Sequence, residues 1–215
     1  MVKLSGRKIC AGGGACAALR ARAYPFGKRI LDVVLSAFLL LAATPLFFFA
    51  AFGIRVTSRG PVLFRQVRVG RRLEPFLLYK FRTMSCRAPH DLATADMPPC
   101  YLTRFGRFLR RTSLDELPQL WNVLRGDMSL LGPRPVVTTE VELIASRAAH
   151  GVYTVRPGIS GLAQISGRDL LSLAEKVRLD SEYVRRMSFF QDARLLLSTF
   201  LAVFTRRDIR EGHTP

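Results

Sequence analysis

From Val33 to Ile54 the chain carries no charged residue, in the run VVLSAFLLLAATPLFFFAAFGI. As a straight helix such a stretch, about 22 residues, covers roughly 30 Å, the thickness of the hydrocarbon core of a bilayer. The run exceeds the apolar region of a secretory signal and continues through Phe47, Phe48 and Phe49 beyond any small-residue cleavage site, which predicts a retained membrane segment. Lys28 and Arg29 precede it, and Arg55, Arg59, Arg65 and Arg68 follow it, so positive charge marks both ends as cytoplasmic. Pro45 removes a backbone hydrogen bond near the middle, and Thr44 can offer its hydroxyl to a freed carbonyl. A kinked, re-entrant helix satisfies both features; a single-pass helix with a tolerated proline is the alternative.

The rest of the composition agrees with a membrane surface. The chain of 215 residues joins 49% hydrophobic residues to a formal net charge of +17. Such a basic, apolar protein suits anionic lipid or phosphate, with nucleic acid as the competing reading of the charge and arginine-rich codon bias as the bland one. The four cysteines (Cys10, Cys16, Cys86, Cys100) form no CxxC pair, and the three histidines (His90, His150, His213) lie at no zinc-site spacing from them. A disulfide framework and a zinc site are both unexpected.

After the apolar run, VLFRQVRVG and FLLYKFRTM read as two strands joined at Gly70-Arg71-Arg72. The period of two puts Phe76, Leu78, Lys80 and Arg82 on one face, so two cations are expected to point together at a phosphate. Residues 85–100, with Pro89, Pro98 and Pro99, read as a loop. Helical patterns follow at Thr103–Arg111, Pro118–Leu124, Glu140–Ala149, Leu170–Arg186 and Phe189–Phe204, the last of them apolar enough for an interfacial or a core helix.

The most informative stretch is LRRTSLDELPQLWNVLRGDMSLLGPRP, Leu109 to Pro135. Asp115 and Glu116 are adjacent acids before a helix that Pro118 could open and Gly126 could stop. Ser113 and Glu116 fit a capping box, the plain structural role for this spacing. The functional role starts from the same charges, since a helix N-terminus beside Arg110 and Arg111 is expected to lower a carboxyl pKa. An ionised carboxylate suits attack on phosphorus or Mg²⁺ ligation, and phosphoryl transfer needs cations and backbone donors around the developing charge. Arg134 lies between two prolines, and Arg156 and Arg168 bracket Gly158, Gly161 and Gly167, which would let backbone approach a ligand closely. A solvated surface arginine is the ordinary fate of each cation taken singly.

Together these residues resemble the monotopic phosphoglycosyl transferases, the bacterial sugar transferase family that begins glycoconjugate assembly on polyprenyl phosphate. The resemblance runs from Gly27 to Arg207. It rests on KRILD, FRQVRVG, YKFRTM, SLDELPQLWNVLRGDMSLLGPRP and VRPGISGLAQISGR. It implies an α/β fold, mostly helical with a small β-hairpin, in which a re-entrant membrane helix carries a compact cytoplasmic catalytic domain with interfacial helices. The corresponding divisions are a basic tail, expected to be disordered or surface-adsorbed, over 1–24; the membrane helix over 25–56; the catalytic domain over 57–207; and a tail over 208–215. By similarity Asp115 attacks the sugar-bearing phosphate of a UDP-sugar and releases UMP, Glu116 helps to hold Mg²⁺, and polyprenyl phosphate then takes the sugar phosphate. Arg110 and Arg168 match phosphate-contacting positions, and Pro133-Arg134-Pro135 matches the nucleotide element; Lys80 and Gln164 join them as substrate-binding candidates. The resemblance places the protein at the cytoplasmic face of a bacterial inner membrane, with a homo-oligomer or downstream glycosyltransferases as further partners and no nucleic acid. The chain departs from the pattern in its N-terminal tail, in Thr44-Pro45 where small members often have Ser-Pro, in the 85–100 loop, and in lacking the further spans of larger relatives.

Overall fold

A computed structural model describes residues 12–85, 101–167 and 171–205. The apolar run forms two helices, α1 (Gly12–Ala42) and α2 (Thr44–Thr57). Among the described residues no single helix is long and apolar enough to cross a membrane, but Tyr24–Ala42 and Thr44–Thr57, bent by 60° at the break, reach that length and composition as a pair. Pro45 falls in the first turn of α2, where its missing N–H costs no helical bond. The Thr44 hydroxyl donates to the Leu40 carbonyl at 3.1 Å, as expected from the sequence. α1 begins inside the stretch expected to be a tail, so residues 12–24 are helical, while residues 1–11 lie outside the described residues.

The surface of this pair inverts the usual order of a water-soluble helix. Phe38, Leu41, Phe48 and Phe52 are exposed, whereas Asp32, Ser36, Ala43 and Ala50 are buried. Small and polar groups thus face the protein and large apolar ones face out, leaving a broad hydrocarbon surface. Ala50 and Ile54 of α2 pack with Phe81 and Leu109, flanked by Phe47, Phe105, Leu114 and Leu117.

The expected hairpin is β1 (Leu63–Val69) and β2 (Pro75–Phe81), antiparallel from Leu63↔Phe81 to Val69↔Pro75. The helices after it are α3 (Arg104–Arg111), α4 (Gln119–Arg125), α5 (Val141–Ala149), the short α6 (Leu162–Ile165), α7 (Leu173–Arg186) and α8 (Phe189–Thr205). All but α6 correspond to helical patterns in the sequence. Gly126 ends α4 at φ 99°, the left-handed position that favours glycine. Fully buried Asn122 on α4 serves the outer edge of β2 like a strand rung: its Nδ2 donates to Leu77 O at 2.7 Å, and its Oδ1 accepts from Tyr79 N at 3.1 Å.

Two strands escape the sequence reading, β3 (Ser129–Leu131) and β4 (Gly158–Ser160), which pair in parallel. A Cβ on Gly158 would stand 2.1 Å from Gly132 N, and one on Gly161 would stand 2.2 Å from Gly132 O. These glycines therefore admit another backbone segment, which corrects the expectation of a ligand there; at Gly167 the neighbour is the Leu171 side chain.

The KRILD segment docks α1 onto this domain. Asp32 accepts from Ser129 Oγ at 2.7 Å and Leu130 N at 3.2 Å. Arg29 donates to the carbonyls of Val123 and Leu124 at the end of α4, and Arg156 donates to Gly126 O there, so cations sit at the negative end of that helix. Lys28, Tyr24 and Tyr183 all converge on the Asp192 carboxylate of α8.

Candidate active site

Asp115 is presented by a single 3-10 turn, Leu114–Glu116, between α3 and α4. Ser113 enters this turn in the left-handed conformation, φ 55°, and its side chain makes no cap bond, so the expected capping box is absent. The capping box of this fold is instead Ser172 with Glu175, at the start of α7. Leu114 and Leu117 face the apolar cluster under α2, which fixes the turn and directs Asp115 inward, where it is 8% exposed.

Burial decides the ionisation of Asp115. Its carboxyl is pushed up to about 6, chiefly by lost hydration, with Lys80, Arg110 and Arg134 opposing and Glu116 adding to the rise. This reverses the lowering expected from the helix end and Arg110 and Arg111; removal from water outweighs the cations. Asp115 is still largely ionised at neutral pH.

Cations gather on the neighbouring acid. Lys80 Nζ donates to Glu116 Oε1 at 3.0 Å, and Arg134 approaches the same oxygen at 3.3 Å. Burial pulls the Lys80 ammonium down and Glu116 opposes the fall. Arg110 Nε donates to Thr83 Oγ1 at 3.0 Å, which places this guanidinium beside Asp115. Lys80, Arg110, Arg134, Asp115 and Glu116 are thus brought together in one cluster. Arg82 departs from that expectation, because β2 ends at Phe81 and the Arg82 guanidinium reaches back to Ser58 at 2.8 Å.

The Pro133-Arg134-Pro135 loop is held through its backbone. Pro133 O accepts from Gly158 N at 2.9 Å, Arg134 O from Arg147 at 2.8 Å, and Pro135 O from Arg68 at 3.2 Å. Buried Arg147 is paired with buried Asp180 at 2.5 Å, and Arg68 with Gln66 at 2.6 Å. Burial and the nearby Arg134 charge lower the Arg68 guanidinium to about 10, so it remains charged at neutral pH.

Arg68 and Arg147 are supporting residues the sequence reading missed. A period of two along β1 would put Gln66 and Arg68 on one face and could have pointed to Arg68, but nothing local marks Arg147. Gln164 is buried in α6, with its amide donating to Ile159 O at 3.4 Å, and no described bond brings it to the acids. Arg168 and residues 86–100 lie outside the described residues.

Among the described residues no group of three or more His, Cys, Asp or Glu is placed to hold a metal by itself. Magnesium does not require one, since it commonly takes one or two carboxylates and completes its shell with substrate phosphate and water. Asp115 and Glu116 are donors of that kind, and the Glu116 side chain is 21% exposed and so reachable. The pair fits such an ion.

Comparison with known proteins joins these observations to a family. The bacterial sugar transferase family matches residues 23–206. A UDP-glucose:undecaprenyl-phosphate glucose-1-phosphate transferase of Caulobacter vibrioides is 41% identical over 186 residues, which cover 83% of this chain and 70% of that protein. The uncharacterized sugar transferase EpsL of Bacillus subtilis is 40% identical over 185 residues, 86% of this chain and 90% of that protein. An Escherichia coli protein with the same description as the Caulobacter one is 41% identical over 187 residues, 82% of this chain but 39% of its own length. The chain belongs to the bacterial sugar transferase family and is a sugar-phosphate transferase of the phosphoglycosyl transferase type. Readings of the basic surface without catalysis are thereby set aside.

Proposed function

We propose that this enzyme transfers a sugar 1-phosphate from a UDP-sugar to a polyprenyl phosphate at the cytoplasmic face of a bacterial inner membrane, through a covalent intermediate on Asp115. The observation that carries the reading is a buried carboxylate beside Glu116, Lys80, Arg110 and Arg134, on a turn whose Leu114 and Leu117 pack against the apolar helix α2. Relatives described as undecaprenyl-phosphate sugar transferases support the choice of donor and acceptor.

The ionised Asp115 attacks the phosphorus that bears the sugar; an oxygen–phosphorus bond forms while the bond to UMP breaks, and UMP leaves with the electron pair. A polyprenyl phosphate oxygen then attacks the same phosphorus and breaks its bond to Asp115, which regenerates the carboxylate. Arg110, Lys80 and Arg134 stabilise negative charge on the phosphoryl oxygens without reorganising at the moment of reaction. Mg²⁺, held by Glu116 with Asp115, would neutralise diphosphate charge.

The bent pair lies in the bilayer as a re-entrant element, with both ends on the cytoplasmic side. Its outward phenylalanines and leucines, its 60° break and its flanking cations support that topology. The decisive experiment incubates the protein with Mg²⁺, UDP-sugars and polyprenyl phosphate, measures UMP, and searches quenched protein for a sugar-phosphate mass on Asp115. UMP release by folded Asp115→Asn at the wild-type rate would overturn the assignment.

A further inference from the structure

A second cationic site lies away from the acid pair, where α1 meets the domain. A cavity of about 120 Å³ is lined in part by Lys28, Arg29, Asp32, Arg71, Arg156 and Tyr183. A space of this kind holds a water in about 10–15 Å³, so the pocket has room for a phosphate group. Among the described lining residues, four cations face one carboxylate. That carboxylate, Asp32, is already engaged by Ser129 and the Leu130 amide, and Lys28 is neutralised by Asp192.

The three arginines keep donating capacity. A guanidinium has five N–H donors. The described bonds use one on Arg71, to Thr154 O, one on Arg156, to Gly126 O, and two on Arg29. Arg29 and Arg156 also repel each other, and burial and the Arg29 charge both lower the Arg156 guanidinium. A bound anion would relieve that repulsion with charge-assisted hydrogen bonds.

The position of the cavity selects the source of the anion. Lys28, Arg29 and Asp32 lie on one face of α1, immediately before the charge-free run begins at Val33. On the opposite face of the same turns Phe26, Ile30, Leu31 and Val34 are exposed, so the apolar surface of α1 begins at the level of the cavity. A phosphate seated among the arginines would therefore stand at the level along α1 where the charge-free run begins, the depth of a phospholipid headgroup.

We propose that this cavity is a phosphate-binding site for the headgroup of an anionic phospholipid, separate from the site of transfer. The lipid source rests on the membrane reading above; the anion site rests on the cavity and its arginines alone. Binding to full-length protein in detergent is measured by calorimetry with short-chain phosphatidylglycerol, short-chain phosphatidylcholine and inorganic phosphate.

The expected result is binding of phosphatidylglycerol in preference to phosphatidylcholine, weakened about tenfold by Arg71→Gln through loss of one charge-assisted contact. Arg156→Gln should weaken it also; because Arg156 caps α4, the exposed Arg71 position keeps the test valid if that second variant fails to fold. Inorganic phosphate binding with the same dependence on Arg71 would retain the site and make its anion soluble. Phosphate held at the acid pair would respond to Arg134→Gln and not to Arg71→Gln. Binding of phosphatidylglycerol and of inorganic phosphate that is absent, or indifferent to Arg71→Gln, overturns the proposal. UMP release reports on the transfer reaction separately, so failure of either idea is visible without the other.

Discussion

Arg147 donates to the carbonyl oxygen of Arg134 at 2.8 Å, so a buried cation holds the backbone of the residue whose own guanidinium approaches Glu116. Asp180 neutralises Arg147 from the far side. Removing one member of a buried ion pair costs about 3–5 kcal/mol, whereas an apolar replacement of both can be nearly neutral. Arg147→Met should therefore destabilise the protein by about that amount in denaturant titration, and Arg147→Met with Asp180→Leu should recover most of it. UMP release should stay low in the double variant, because the Arg134 carbonyl has still lost its donor. Full activity there would show that the loop needs no such support.

The raised carboxyl of Asp115 sets a pH dependence. As the proposed nucleophile, Asp115 must be ionised, so kcat/KM for a UDP-sugar donor should rise with pH and level off above about 6. A profile flat from pH 5 to pH 8, about the range over which a group near 6 changes charge, would contradict this environment.

The same shift bears on stability with the opposite slope. Between the ordinary aspartate value of 3.8 and about 6, the folded protein binds more protons at Asp115 than the unfolded chain does. Stability from this group is full below the lower value and is lost as pH rises through the upper one. Asp115→Asn should thus be folded and no less stable than wild type at pH 7, with any gain vanishing below about pH 4. Thermal unfolding of both proteins across that range tests the sign.

Asn122 supports β2 and also donates to the Asp127 carboxylate at 3.1 Å. Asn122→Leu removes the partners of Tyr79 N–H and Leu77 C=O on the strand that carries Lys80. Leaving buried polar groups unpaired costs about 1–3 kcal/mol each, and denaturant midpoints should fall accordingly. An unchanged midpoint would mean that water replaces the amide.

If the proposed re-entrant topology holds, Arg20→Cys and Arg59→Cys, each in a background without the four native cysteines, react with a membrane-impermeant thiol reagent only from the cytoplasmic side. Labelling of either from the opposite side would establish a span.

Local patterns made much of this architecture legible. The hairpin follows from β-forming residues bounded by Gly-Pro and Gly-Arg, and α4 from Pro118 and Gly126, because those signals act within a few residues. The short parallel pair β3–β4 was invisible, since three-residue strands carry no periodicity and their partners lie far apart in sequence. The acid pair and its cations could be assembled from motifs. The sign of the Asp115 shift could not, because it depends on how deeply the 3-10 turn is buried by Leu114 and Leu117. Arg82 shows the same limit: strand alternation predicted its direction, but the strand stops one residue earlier.

Ala50 and Ile54 close the floor beneath the turn that bears Asp115. Burying an isoleucine alone contributes about 1.5–3 kcal/mol. A fragment lacking α2 would expose that floor and slacken the turn above it, so the bent apolar pair and the turn that bears Asp115 make one folding unit.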